Sequence, residues 1–171
     1  MPRLAIAALL IAALAVSTSG CGTKTVSVTG PGGVVTTRTV PNIHFAKTKF
    51  ALHMGLAFGS FHRYVYKPFR AGVFTTNAPG RLRAFLKAGT AAIFAVHELR
   101  TAREDALSDS HLGPLVERIE GLLGSLAHIG ASFKRGTLKP AVIASAASTV
   151  AALGSSSSSL GVAIKEVAPA F

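Results

Sequence analysis

The apolar positions of this chain change period twice. Leu4–Val16 is an unbroken run of 13 apolar residues. Thr23–Val40 then mixes Thr and Val on either side of Gly30, Pro31, Gly32 and Gly33. From Asn42 onward, apolar residues recur at steps of three and four. β-branched runs around a Gly/Pro turn predict a β-hairpin, and because two isolated strands are marginal in water, an extended tether is the alternative for residues 21–42. Steps of three and four predict amphipathic helices.

The first helix is expected over about residues 43–67, with Asn42 as its N-cap. Phe50, Met54, Ala57, Phe58, Phe61, Tyr64 and Val65 share one side of it, and Lys49, His53, Ser60, Arg63 and Lys67 the other. Ala51, Gly55 and Gly59 make a row of small residues that allows close approach of another helix, as in core packing. Pro68, Gly72, Asn77, Pro79 and Gly80 predict a loop. The second helix is expected from about Arg81 to Ala106, with Leu82, Phe85, Leu86, Ala92, Ile93, Val96 and Leu99 buried and Lys87, Glu98 and Asp105 opposite.

Leu112, Leu115, Ile119, Leu122, Leu126, Ile129 and Phe133 give the third helix the clearest period in the chain, with Asp109 or Ser110 as its cap and Pro114 in its first turn. A fourth, Ala-rich helix runs from near Thr137 to Leu153, with Pro140 in its first turn. Gly154 and Ser155–Ser159 read as a break, so residues 155–171 are expected to form a Ser-rich flexible tail. The fold class predicted is all-α, an up-down four-helix bundle over residues 43–154 preceded by the hairpin or tether.

The first 21 residues carry an address. Arg3, the apolar run and the small residues Ser17, Thr18, Ser19 and Gly20 have the layout of a signal peptide over residues 1–20. Thirteen apolar residues reach only about 20 Å as a helix, short of the roughly 30 Å of bilayer hydrocarbon. Thr18-Ser19-Gly20-Cys21 resembles the lipobox of bacterial lipoproteins, and the resemblance covers residues 1–21 alone. It departs from the usual motif at Thr18, where Leu, Val or Ile is commoner. It implies that the sulfur of Cys21 is acylated and that Cys21 becomes the new N-terminus. Cys21 is the only cysteine; an exported chain with one cysteine forms no internal disulfide, and acylation removes an exposed thiol. The localisation expected is extracytoplasmic, anchored to the outer face of the cell membrane, with ordinary secretion as the alternative. The remaining domain resembles secreted helical proteins of high-GC Gram-positive bacteria, a likeness that attaches no activity to it.

Charge changes the picture further. The formal net charge is +11. Residues 22–97 hold ten Lys and Arg and no Asp or Glu, whereas residues 98–171 hold seven of each sign. Basic residues near an anionic surface contribute about 1 kcal/mol each, enough to supplement a single acyl chain. Lys49, Arg63 and Lys67 are therefore the candidate residues for binding an anionic lipid or wall polymer. The competing expectation is internal: the basic face docks on Glu98, Glu104, Asp105, Asp109, Glu117 and Glu120.

Catalytic and metal signatures are weak. His44, His53 and His62 stand nine residues apart, half a helical revolution out of step, so they do not share one ion. His97-Glu98 opens like a zinc HExxH motif, but Thr101 replaces the second ligand. No GxSxG elbow or phosphate-binding glycine loop occurs, and the one cysteine lies at the signal junction. Glu98 and Asp105 share a helix face, an arrangement better explained by solvation or ion pairing than by acid/base chemistry. Export argues against nucleic acid despite a pI near 10.7. The function expected is non-enzymatic, without cofactor or metal: a lipid-anchored basic helical domain binding an anionic surface or a protein partner. A small-molecule or lipid-binding bundle is the alternative, and an enzyme of unrecognised type comes third.

Overall fold

The computed structural model describes residues 22–29 and 33–171. The signal segment, Cys21 and the turn residues Gly30, Pro31 and Gly32 lie outside them. The described residues fall into two compact units that meet at Asn42 and Ile43 in sequence.

In the first unit, β1 (Thr23–Thr29) pairs antiparallel with β2 (Val35–Pro41), Thr23 opposite Pro41 and Thr29 opposite Val35. The amide of Asn42 donates to the carbonyl of Gly22 at 2.7 Å and closes the open end. The Thr/Val runs are paired strands, as their β-branched residues favour.

The second unit is helical. Its first helix, α1 (Ala46–Phe61), runs directly into a π-helical segment (His62–Tyr66) and a last α-turn (Lys67–Arg70). The start is three residues later than expected, and Asn42 is not the cap. That position is taken by Phe45 in the left-handed region (φ 58°), without a side-chain bond. The expected stop at Pro68 is also displaced: a proline ring crowds the carbonyl four residues earlier, and the wider π-turn lets the helix carry on to Arg70. The apolar face is as expected, with Phe50, Met54, Ala57, Phe58, Phe61, Tyr64 and Val65 all buried.

Helix α2 (Arg81–Leu107) has the expected length and buries Ala92 and Leu99 as expected, but the rest of its buried face is turned towards the alanines. Leu82, Leu86 and Ile93 are 76%, 65% and 54% exposed, while Ala88, Ala91, Ala95, Leu99 and Ala102 are fully buried. The physical reason is complementarity of size. α1 packs along α2 and brings the bulky residues, so the small side of α2 is the one that lets the two axes approach.

A 3₁₀ turn (Gly113–Leu115) holds Pro114 and leads into α3 (Val116–Arg135). Asp109 and Ser110 are not its caps; the Asp109 carboxylate instead accepts the amide of His111 at 2.9 Å. All seven residues of the predicted stripe, Leu112 to Phe133, are buried. α3 ends at Gly136 in the left-handed conformation (φ 67°), with Thr137 N–H donating to the Ser132 carbonyl at 3.0 Å.

Helix α4 (Pro140–Ser159) starts at Pro140 rather than Thr137 and continues through Gly154 and the serine run, where a break was expected. Ile143, Ala146, Val150, Leu153 and Ser157 form a buried row at helical spacing that crosses the run. The Ser157 hydroxyl donates to the Val162 carbonyl at 2.6 Å, so burial of that serine costs no unmade hydrogen bond. Among the described residues, α4 is the one helix long and apolar enough to cross a membrane by length and composition.

α2 also packs on α3, α3 on α4, and α4 on the π-helical segment. Phe74, Phe85 and Phe133 meet edge to face, with centroids 5.1 to 5.3 Å apart, and pin the loop before α2 to the end of α3. Residues 162–171 have no regular secondary structure, yet they are laid along α1. Val167 N–H donates to the Gly55 carbonyl at 3.0 Å and the Tyr64 hydroxyl to the Pro169 carbonyl at 2.7 Å. The Phe171 ring meets Tyr64 at 5.0 Å and Phe94 at 5.5 Å. Gly55 and Gly59 make this fit, because a Cβ on either would collide with the backbone of Lys165 or Val167. The small-residue row thus receives an extended segment, not a helix.

Candidate functional site

The three basic residues selected from sequence are exposed, but they do not form one cluster. Arg63 sits in the π-helical segment and Lys67 directly after it, where the wide turn keeps both outward while Tyr64 and Val65 turn in. They line a shallow depression of about 330 Å³ with Tyr64, Pro68, Val73, Ala84 and Lys87. The Arg63 guanidinium lies 5.4 Å from the centre of the Tyr64 ring and the Lys87 ammonium 5.9 Å from it. Lys87 also donates to the Phe171 carbonyl at 2.7 Å. Lys87 is the residue that sequence reasoning does not select for this group; its charge is the only signal, and only the packing of α2 on α1 brings it beside Arg63. The site therefore gathers three cations over an apolar floor, an arrangement suited to an anionic group attached to a hydrocarbon body.

Lys49 stands about four helical turns before Arg63, near a second feature. There the imidazole Nδ1 of His53 donates to Glu98 Oε2 at 2.6 Å. Glu98 and Asp105, expected on the outer side of α2, are buried instead. Burial pushes the Asp105 carboxyl up to about 6, opposed by the positive charges of His53 and Lys49 and reinforced by the negative charge of Glu104. Asp105 Oδ2 and the Ser60 hydroxyl are buried without a hydrogen-bond partner. Docking of the basic face on these acidic residues consists of the hydrogen bond from His53 to Glu98 and the charge interaction of His53 and Lys49 with Asp105. Arg103 takes Glu104 and Glu120, each at 2.7 Å, and His111 takes Asp109.

A larger depression of about 580 Å³ opens between the π-helical segment and α4, lined by Phe61, Tyr66 and Phe69 on one side and Ala144, Ala147 and Ala151 on the other. Its polar groups are His62, Arg70, Ser148 and Glu166. His62 Nδ1 donates to Glu166 Oε2 at 2.8 Å, so the C-terminal segment forms part of the wall. Among the described residues no three His, Cys, Asp or Glu side chains converge in a metal-holding geometry. No family model, no curated protein and no solved structure matches the chain.

Proposed function

We propose that this protein is an exported lipoprotein, acylated on Cys21, whose helical unit binds an anionic envelope surface without catalysing a reaction. In this reading the helical unit is an up-down four-helix bundle, supported by the succession of packed pairs from α1 to α4. The observation that carries the functional reading is the exposure of Lys49, Arg63 and Lys67. Among the described residues no carboxylate lies within ion-pair distance of any of them. Exposed cations in a stretch that lacks acids attract an anionic surface at about 1 kcal/mol each. Two experiments test it. Cys21→Ser in the native host releases the protein to the medium or leaves it unprocessed if lipid is the anchor; unchanged fractionation, with no acyl mass on the parent, refutes anchoring. The triple substitution Lys49→Gln, Arg63→Gln, Lys67→Gln weakens salt-sensitive binding to anionic vesicles and leaves the helical content unchanged.

A second reading rests on the depression between the π-helical segment and α4. Its aromatic and alanine walls, with Arg70 and His62 at the rim, suit a small apolar ligand with a polar end. π-Helical turns often occur at functional sites. Protection of His62 and Tyr66 resonances by a bound amphiphile would favour this reading over surface attachment.

A further inference from the structure

Three large aliphatic side chains on α2 remain mostly exposed in the fold. Leu82, Leu86 and Ile93 are 76%, 65% and 54% exposed. At 100° per residue they fall within about 40° of one another on the helix surface and extend over roughly 16 Å of its length. An aligned stripe of this kind is not the scattered apolar exposure of an ordinary surface. Turning around α2 away from the stripe, the exposed His97 and Thr90 come first, then Arg83 and Lys87, and Lys87 lines the basic depression with Arg63 and Lys67. Apolar stripe and basic groove therefore adjoin on one surface of the helical unit. No acid interrupts this surface along α2 before Glu98, and Glu98 is turned inward to His53.

Resting on the surface-binding function proposed above, we propose that the stripe of Leu82, Leu86 and Ile93 lies in the interfacial layer of an anionic lipid bilayer, with Arg83, Lys87 and the groove cations on its phosphates. The chemistry selects bilayer over wall polymer. A polyanionic polymer satisfies the cations but gives three leucine-sized side chains nothing apolar to enter, whereas the headgroup boundary offers both. Arginine and lysine stems cover apolar surface while their heads stay with phosphate, as flanking positions require. A second copy of this chain is a poorer occupant, because a symmetric contact would set Arg83 and Lys87 against like charges.

The chain contains no tryptophan, so one introduced indole reports its own surroundings. The probe is the mature chain from residue 22, without acyl group, carrying Leu86→Trp and mixed with phosphatidylglycerol vesicles. The expected result is emission shifted to shorter wavelength and quenching by bromine on the lipid chains. Ala152→Trp, on the exposed side of α4, is expected to stay unshifted. Leu86→Ser is expected to weaken vesicle binding about tenfold, the loss from one partly buried leucine. Co-sedimentation in low and high salt separates the outcomes. Salt-sensitive binding with an unshifted Leu86→Trp signal overturns the stripe and leaves the surface-binding function standing. No binding at either salt removes both. A shift at Ala152→Trp instead would assign the membrane face to α4. A shift without vesicles that grows with protein concentration would assign the stripe to a second copy.

Discussion

The amide of Val167 donates to the carbonyl of Gly55 at 3.0 Å, so an extended segment near the C-terminus is bonded to the backbone of a helix 112 residues earlier. Such an approach requires that no Cβ intervene, and both Gly55 and Gly59 meet that condition. A conformationally expensive residue in a helix is here explained by what it admits.

Gly59→Ala should therefore destabilise the protein by about 1–3 kcal/mol, the usual effect of overpacking, although alanine is the better helix former. Gly124→Ala on α3 has the opposite sign. Nothing lies within 4 Å of a Cβ built there, and stabilisation of up to about 1 kcal/mol is expected. Urea unfolding of the two variants beside the parent makes the comparison. Stabilisation by both would mean that the C-terminal segment does not rest on Gly59 in solution.

Asp105 gives the fold a pH dependence. Its carboxyl is raised from 3.8 to about 6 by burial, so the folded state holds this proton more tightly than the unfolded state. Its contribution is then fully present below about pH 4 and is lost as pH rises through about 6. Asp105→Asn keeps the shape and removes the titration. Relative to the parent, the variant should gain stability between pH 4 and pH 7, by about 1–3 kcal/mol in all. A stability difference that stays flat across that range would show that Asp105 is solvated in the native state.

Ser157 tests whether the serine run is an integral part of α4. Its hydroxyl is buried and donates to the Val162 carbonyl at 2.6 Å, while Ser155 and Ser158 are exposed. Ser157→Ala should cost about 1 kcal/mol, with Ser155→Ala and Ser158→Ala within about 0.5 kcal/mol of the parent. Equal effects at the three positions would place all of them in solvent and return the run to a flexible tail.

Both the amphipathic face of α1 and the stripe of α3 could be read from spacing, because a helix with one apolar side has one side to bury. Leu112 to Phe133 are inside as the three-and-four period requires. The β-branched runs on either side of the glycines likewise determined the paired strands of the first unit. On α2 the period was equally visible, but two faces competed for the interior, one of leucines and one of alanines. Hydrophobic size favours the first and close approach to a bulky neighbour the second, and a single helix does not reveal which neighbour it will meet. The serine run posed the same difficulty: its composition favours a loop, and only Val162 beside Ser157 satisfies the buried hydroxyl that allows a helix. The charge division at residue 98 and the basic character of the face that carries Lys49, Arg63 and Lys67 belonged to the sequence alone. That Lys87 joins Arg63 and Lys67, that Glu98 turns to His53, and that the C-terminal segment occupies the glycine row were decided by tertiary packing. Each depends on residues distant in the chain coming within a few ångströms, a relation that local spacing does not encode.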